Sequence, residues 1–158
     1  MINLRVMLCC LACAAPVAAQ DTSFAAMQQR GRIAMGVDQY TSIHRFDDLT
    51  DGGRIELQRD RDDAVGVKAI RDHLRAISRS FSAGDFSTPA FVHMRDVPGA
   101  RTMAAKHRVI RYAFRDLPRG GELRISTADP AARGAVHEFL AFQRSDHHAA
   151  GHEMHASH

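Results

Sequence analysis

Cysteine is almost absent from this chain of 158 residues, and its three cysteines, Cys9, Cys10 and Cys13, all lie near the N-terminus. They belong to a segment that we interpret as a cleaved leader. The mature chain would then contain no disulfide, no thiolate metal site and no cysteine nucleophile. A domain without these cross-links has to be held together by the packing of its core.

Aromatic residues and one-sided charge are also scarce. The chain has eight Phe, two Tyr and no Trp, and its formal net charge is only +3. Basic residues such as Arg54, Arg59 and Arg61 alternate with acidic ones instead of forming a stripe. A nucleic-acid interface needs a basic face and aromatic rings on which bases stack, so we expect no nucleic-acid partner.

Long apolar runs are missing beyond the N-terminus, so we expect no stable membrane span. The first 20 residues are typical of a signal peptide: a basic segment, MINLR, precedes an apolar run from Val6 to Val17 that is too short to cross a bilayer. Small residues at positions 17–19 predict cleavage before Gln20 or Asp21. The protein is therefore predicted to be periplasmic or secreted.

Two alternatives to a soluble exported form stay open. Cys13 follows Leu11 and Ala12, as in a lipoprotein, although Cys10 stands where a lipobox has leucine. The apolar run could also be a buried N-terminal helix.

An internal repeat is the main signal for the fold. IHRFDDLTDGGRIEL (residues 43–57) returns 68 positions later as RYAFRDLPRGGELRI (residues 111–125), with Phe, Asp, Leu and Gly-Gly matched. Each copy predicts strand, Gly-Gly turn and strand, and each precedes a helical pattern with a histidine, His73 or His137. Asp51-Gly52-Gly53 is expected to supply the positive φ angles of the first turn.

The helical patterns have capping signals. Val67, Ile70, Leu74, Ile77 and Phe81 recur at helical spacing, with Asp60 or Asp62 as the expected N-cap. In the second copy, Asp129-Pro130 marks the helix start, and Gln143 joins the apolar residues of the inward face.

These elements predict an α+β fold made of two ββα units, with a four-stranded antiparallel sheet and helices packed on one face. The predicted organisation is a signal peptide (1–20), a flexible lead-in with a short helical stretch (21–36), and a single α+β domain (37–146). Its ββα repeats span 41–84 and 108–146, and a disordered, histidine-rich tail follows (147–158).

Histidine is over-represented, with ten residues that fall into two groups. The tail group contains His147, His148, His152, His155 and His158, with Met154 among them. The i, i+4 spacing of His148 and His152 suits a shared metal ion. Such a tail would bind metals weakly and without selectivity, because ordering it costs entropy. A solvated tail without a role is the alternative.

The folded group contains His44, His73, His93 and His137, with Met94 and His147 as further candidates. Imidazole suits copper, zinc and nickel, and thioether favours Cu(I). His73 and His137 border apolar stripes in matching helices, and a pseudo-two-fold could bring them close, with His44 or His93 completing a site. For each histidine taken alone, a hydrogen-bonded residue at the edge of the core remains the alternative.

Enzyme motifs are weak. The sequence contains no Gly-x-Ser-x-Gly elbow, no P-loop and no HExxH, since Ala141 stands where the second histidine would follow His137-Glu138. Asp47-Asp48 and Asp62-Asp63 are interpreted as turn and cap residues.

The order of several short motifs resembles a family of small bacterial proteins whose members sometimes carry the name aspartate carbamoyltransferase. The resemblance covers Met35 to His147 and implies histidines at positions matching His44, His73, His93, His137 and His147. It departs from the family pattern at Tyr40-Thr41. The carbamoyltransferase name does not suit this chain, because it has no Ser-x-Arg-Thr-Arg site and about half the required length. The matching motifs are MGVDQ (35–39), HRF (44–46), DGG (51–53), IRDHL (70–74), AGDF (83–86), His93, PG (98–99), the Gly-Gly hairpin, HEFLAFQ (137–143) and SDH (145–147).

Together these features favour an exported metal-binding protein, with copper as the first expectation and zinc or nickel as alternatives, for storage, delivery or protection. A small enzyme with a histidine or metal centre, and an interaction domain whose histidines are structural, are the other hypotheses.

Overall fold

The computed structural model describes residues 17–149, with side chains from residue 23 onwards. Its elements form two ββα units preceded by one long helix. In chain order they are α1 (Val17–Met35), a 3-10 turn (Gln39–Thr41), β1 (Ser42–Leu49), β2 (Gly52–Arg59), α2 (Ala64–Ser82), α3 (Ser87–His93), α4 (Ala100–Ala105), a second 3-10 turn (His107–Val109), β3 (Arg111–Leu117), β4 (Gly120–Ser126) and α5 (Pro130–Asp146).

The four strands form one antiparallel sheet in the order β1-β2-β4-β3, which confirms the predicted α+β fold. One face carries the apolar row Phe46, Ile55, Leu123 and Phe114, which packs with residues of the helices. The opposite face carries charged residues that pair across the strands, as Arg115 does with Glu122. Among residues 17–149, no helix is both long and apolar enough to cross a membrane.

The pairing of β2 with β4 shows how the two units are related. Gly52 pairs with Ser126 and Gly120 pairs with Gln58, and an offset of 68 positions converts one pair into the other. Ile55 pairs with Leu123, its own equivalent. The units are therefore related by a pseudo-two-fold axis through this central pair.

Each helix packs over the hairpin of the other unit. α2 lies mainly on β3 and β4, and α5 lies on β1 and β2. A Cβ atom on Gly53 would come within 2.1 Å of Leu140 in α5, and one on Gly121 would come within 3.1 Å of Leu74 in α2. The absence of a side chain at each second glycine of the Gly-Gly pairs thus lets the opposite helix approach the sheet.

The glycine pairs differ from their predicted role. The residues of the first turn are Thr50 and Asp51, whereas Gly52 and Gly53 already belong to β2. Gly52 has a φ of +147°, and a Cβ atom there would lie 2.3 Å from the carbonyl oxygen of Ile125. These glycines are required by close backbone and helix packing more than by the turn itself.

Three further predictions need correction. The N-cap of α2 is Asp63, not Asp60 or Asp62, because the Asp63 carboxylate accepts from the amide of Gly66 at 3.0 Å. The lead-in at 21–36 lies almost entirely within helix α1. His147, assigned to the disordered tail, is the C-cap of α5 and is buried. The tail beyond Ala149, with His152 and His155, and the leader before Val17 lie outside the described residues.

We expect Gly53→Ala to destabilise the protein by about 1–3 kcal/mol, because the added methyl group forces α5 away from the sheet. The matched control is Gly134→Ala in α5, where a Cβ atom would have no neighbour within 4 Å. That substitution should stabilise the helix by up to about 1 kcal/mol. Urea unfolding followed by circular dichroism measures both effects, and equal effects of the two substitutions would contradict the packing role of Gly53.

Candidate functional site

A cavity of about 100 Å³ lies between α1, the core face of β1 and β2, and helices α2, α3 and α5. We call it the histidine cavity, because four of the predicted site residues line it: His44, His73, His93 and His147. Most of the remaining wall is apolar. The wall is completed by Gln39, Gln143, Thr88, Met35, Gly31, Ala34, Phe46, Ile55, Leu57, Leu74, Ile77, Phe81, Pro89, Val92 and Phe139.

His147 occupies the centre of the cluster. Its ring centroid lies 5.0 Å from that of His93 and 6.1 Å from that of His44. Each of these three residues is exposed by less than a tenth. The C-cap position of α5 directs His147 back towards the sheet, where its ring also stacks on Phe46 at 6.0 Å.

The side chain of Gln39 fixes the protonation of the His147 ring. Its amide Nε2 donates to the carbonyl oxygen of His147 at 2.7 Å, so its Oε1 must be the atom that faces the ring. This oxygen lies 2.8 Å from Nδ1 and can only accept. Nδ1 of His147 therefore carries the hydrogen, and Nε2 carries a lone pair.

His44 is fixed by a relay of hydroxyl and carbonyl groups. The hydroxyl of Ser42 lies 2.9 Å from the carbonyl oxygen of Asp38 and 3.0 Å from Nε2 of His44. When the hydroxyl donates its one hydrogen to Asp38, it accepts from Nε2, and the lone pair of the ring is on Nδ1.

The other two rings follow the same pattern. Nδ1 of His73 donates to the carbonyl oxygen of Ala34 in α1 at 3.1 Å. Nδ1 of His93 donates to the carboxylate of Asp146 at 2.5 Å, and Oε1 of Gln143 lies 3.2 Å from its Nε2. Asp146 is also paired with Arg95.

Burial favours the neutral form of three of these rings. It lowers the pKa of His147 to about 3, with a further contribution from the neighbouring His93 and His44. It lowers the pKa of His44 to about 4, with a smaller contribution from His73, and it also lowers the pKa of His73. At neutral pH the imidazoles of His44, His73 and His147 are therefore uncharged.

His137 does not line the histidine cavity. Its Nε2–H group donates to the carbonyl oxygens of Leu49 and Gly52, at 3.0 and 2.9 Å, at the end of the first hairpin. Arg71 makes the same contacts to Leu117 and Gly120 in the other hairpin. The two helices are offset by 66 positions, from N-cap Asp63 to N-cap Asp129, which makes Arg71 and His137 equivalent. His137 therefore has a structural role that an arginine fills in the first unit.

His73 and His137 are consequently not equivalent to each other, as the sequence had suggested. With the same offset, the position matching His73 is Phe139. Two further candidates lie elsewhere. Met94, 69% exposed, is outside the cavity wall, and the ring of His148 stacks on Phe24 of α1 at 4.4 Å.

The pair formed by His44 and His147 also has a counterpart. Tyr112 matches His44 and Phe81 matches His147, and these two rings lie 5.7 Å apart in an edge-on contact. The same place in the two units therefore holds two hydrocarbon-rich rings in one case and two imidazoles in the other.

Sequence reasoning missed four groups that orient the histidines: Gln39, Ser42, Gln143 and Asp146. It also missed Met35, which is buried in the cavity wall. Gln143 could have been suspected, since it is a polar residue at an apolar stripe position of α5. No family model, curated protein or solved structure matches this chain.

The arrangement is not a preformed metal site. Within the described side chains, no group of three or more His, Cys, Asp or Glu residues is positioned to hold a metal ion. Rings bound to one ion would have their centroids roughly 5–6.5 Å apart, given metal–nitrogen distances of about 2.0–2.1 Å. The distances from His147 to His93 and to His44 both fall in this range.

We expect the stability of the metal-free protein to fall as the pH is lowered from 7.5 to 5. The pKa values of His44 and His147 are lowered in the folded state. Between about pH 6.5, the ordinary pKa of histidine, and pH 4, the unfolded chain therefore binds more protons at these residues than the folded protein does. The free energy of unfolding has its full value above pH 6.5, where both rings are neutral in the unfolded chain as well, and it decreases as the pH falls below 6.5. Each ring should account for about 2 kcal/mol of loss by pH 5.

Urea unfolding in the presence of a chelator measures this dependence. In His147→Asn, the amide of asparagine can still donate to Gln39 but does not titrate. The decrease in the free energy of unfolding between pH 7.5 and 5 should therefore be smaller than in the unsubstituted protein by the contribution of one histidine. An unchanged pH dependence in this variant would show that His147 is not a buried neutral imidazole.

Proposed function

We propose that this protein binds a transition-metal ion in the histidine cavity, with copper as the first candidate and zinc or nickel as the alternatives. One observation carries the proposal. In His73 and His147, Nδ1 donates to a protein oxygen atom, which leaves the lone pair of Nε2 for a ligand, and Nε2 of His44 is held by the Ser42 hydroxyl beside them. Metal-binding histidines are oriented in this way by a carboxylate, a carbonyl or another acceptor.

The low pKa values support the same proposal. A metal ion competes with protons for the imidazole lone pair, and protons are weak competitors for His44 and His147 at neutral pH. The apolar wall around the rings would shield a bound ion from bulk water. Binding would require His147 and His93 to rotate and the Gln143 amide to move away from His93.

The biological role proposed with this site is metal storage, delivery or protection outside the cytoplasm. It depends on the leader, since an exported protein without cysteine would have to use histidine and methionine for such a task. The C-terminal tail, with His148, His152 and His155, would act as a weaker and less selective metal-collecting segment.

A small enzyme is the second candidate, and the pair formed by His93 and Asp146 favours it. A carboxylate on Nδ1 holds the imidazole ring in one orientation, as in many general bases. The apolar cavity of about 100 Å³ would admit only a small substrate. The proposals differ in their dependence on metal, since a metal-free general base works in the presence of a chelator.

Metal titration by isothermal calorimetry tests the proposed site. In a tail-substituted chain, with His152, His155 and His158 replaced by alanine, we expect one tight equivalent of copper to remain. His147→Asn should remove it, because asparagine keeps the donor to Gln39 but has no second ring nitrogen. The melting temperature should rise on metal addition only where this equivalent binds.

The matched control for this titration is His107→Asn. Nδ1 of His107 donates to the carbonyl oxygen of Ala104 at 2.9 Å, as His73 does to Ala34, but His107 lies outside the cavity wall. His107→Asn should keep the tight equivalent. The proposal fails if the tail-substituted chain binds no metal tightly, or if His147→Asn binds as well as His107→Asn.

A further inference from the structure

We infer that the ion held in the histidine cavity is Cu(I), and that Met35 supplies a thioether ligand beside the imidazoles. This inference rests on the proposed metal-binding function and concerns the oxidation state of the ion and one additional ligand. Two properties of the cavity wall support Cu(I): its charge and the softness of its donor atoms.

The cavity wall contains no carboxylate among the described residues, and an imidazole that binds a metal ion does so as a neutral donor. Asp146 contacts the cluster through Nδ1 of His93 and is also paired with Arg95. The cost of moving an ion from water into an apolar medium rises with the square of its charge, so a divalent ion costs about four times as much as a monovalent one. A neutral, largely apolar site therefore favours a monovalent ion.

Sulfur strengthens this preference. Met35 ends α1 and is 7% exposed, in the same wall as the four histidines. The preceding residue, Ala34, accepts the hydrogen bond from His73, so the last turn of α1 is fixed against the cluster. Thioether sulfur selects Cu(I) over zinc and other harder divalent ions, and Cu(I) accepts the low coordination numbers that a few inward-facing groups provide.

The charge of the cavity wall and its donor atoms thus favour the same ion. Copper(II) and zinc would gain less from the thioether, and the wall has no carboxylate to balance their second charge. Cu(I) would be bound by neutral nitrogen and sulfur donors, and the hydrogen bond from His93 to Asp146 would place one negative charge next to it.

Anaerobic titration of the tail-substituted chain with Cu(I), against a chromophoric Cu(I) chelator as competitor, tests the inference. Parallel titrations use Zn(II) and Cu(II). We expect Cu(I) to bind at least about 100-fold more tightly than Zn(II), a difference of about 2.7 kcal/mol. Met35→Leu should weaken Cu(I) binding by about tenfold or more and leave Zn(II) binding nearly unchanged.

Met103→Leu is the matched control, because Met103 is fully buried in the core but is not part of the cavity wall. It should not change Cu(I) binding. Copper X-ray absorption gives an independent readout: a sulfur scatterer should be present in the unsubstituted protein and in Met103→Leu, and absent in Met35→Leu.

The outcomes separate this inference from the proposed function. If Zn(II) binds in the cavity as tightly as Cu(I), or if Met35→Leu leaves the Cu(I) affinity and the sulfur signal unchanged, the inference is wrong and the metal site stands. If neither ion binds in a manner sensitive to His147→Asn, both the inference and the proposed function are wrong.

Discussion

The contact between each helix and a glycine of the opposite hairpin determines the rest of this structure. Leu140 of α5 packs over Gly53, and Leu74 of α2 packs over Gly121. Because each helix depends on the other unit, one ββα unit alone would leave its apolar stripe without a surface. The exchange is the arrangement expected for two copies of a ββα chain that swap helices across a two-fold axis. It also brings the C-terminal end of α5 to β1, where His147 meets His44.

The histidine rings are held by side chains that also form hydrogen bonds to backbone carbonyl oxygens. The Gln39 amide and the Ser42 hydroxyl each use their donor elsewhere and therefore act as acceptors towards the imidazoles. An unsatisfied buried ring nitrogen would be costly, so each partner contributes to stability and to the choice of tautomer. Fold stability and the orientation of the imidazole rings are thus coupled in the same hydrogen bonds. Substitution of Gln39 or Ser42 would alter both.

Much of the fold could be predicted from the sequence, because strand alternation, helical spacing and the internal repeat are local signals. The grouping of His44, His73, His93 and His147 was harder, since it depends on which helix packs on which hairpin. The prediction that His73 and His137 converge was wrong for this reason: the two histidines occupy different positions in their helices. Met35 could not be assigned at all, because its part in the cavity arises only from the way α1 docks on the domain.

The two units of the duplicated fold differ in the pair of rings that occupies equivalent positions in each. Where one unit packs Phe81 against Tyr112, the other presents His147 and His44. Phe81 also belongs to the wall of the histidine cavity, so the hydrocarbon-rich pair packs the core directly beside the imidazoles. In a duplicated fold, one unit can carry polar rings in place of an apolar pair because the other unit keeps the apolar packing at the equivalent position. The repeat therefore leaves space for the histidine cavity in a domain whose described residues contain no cysteine.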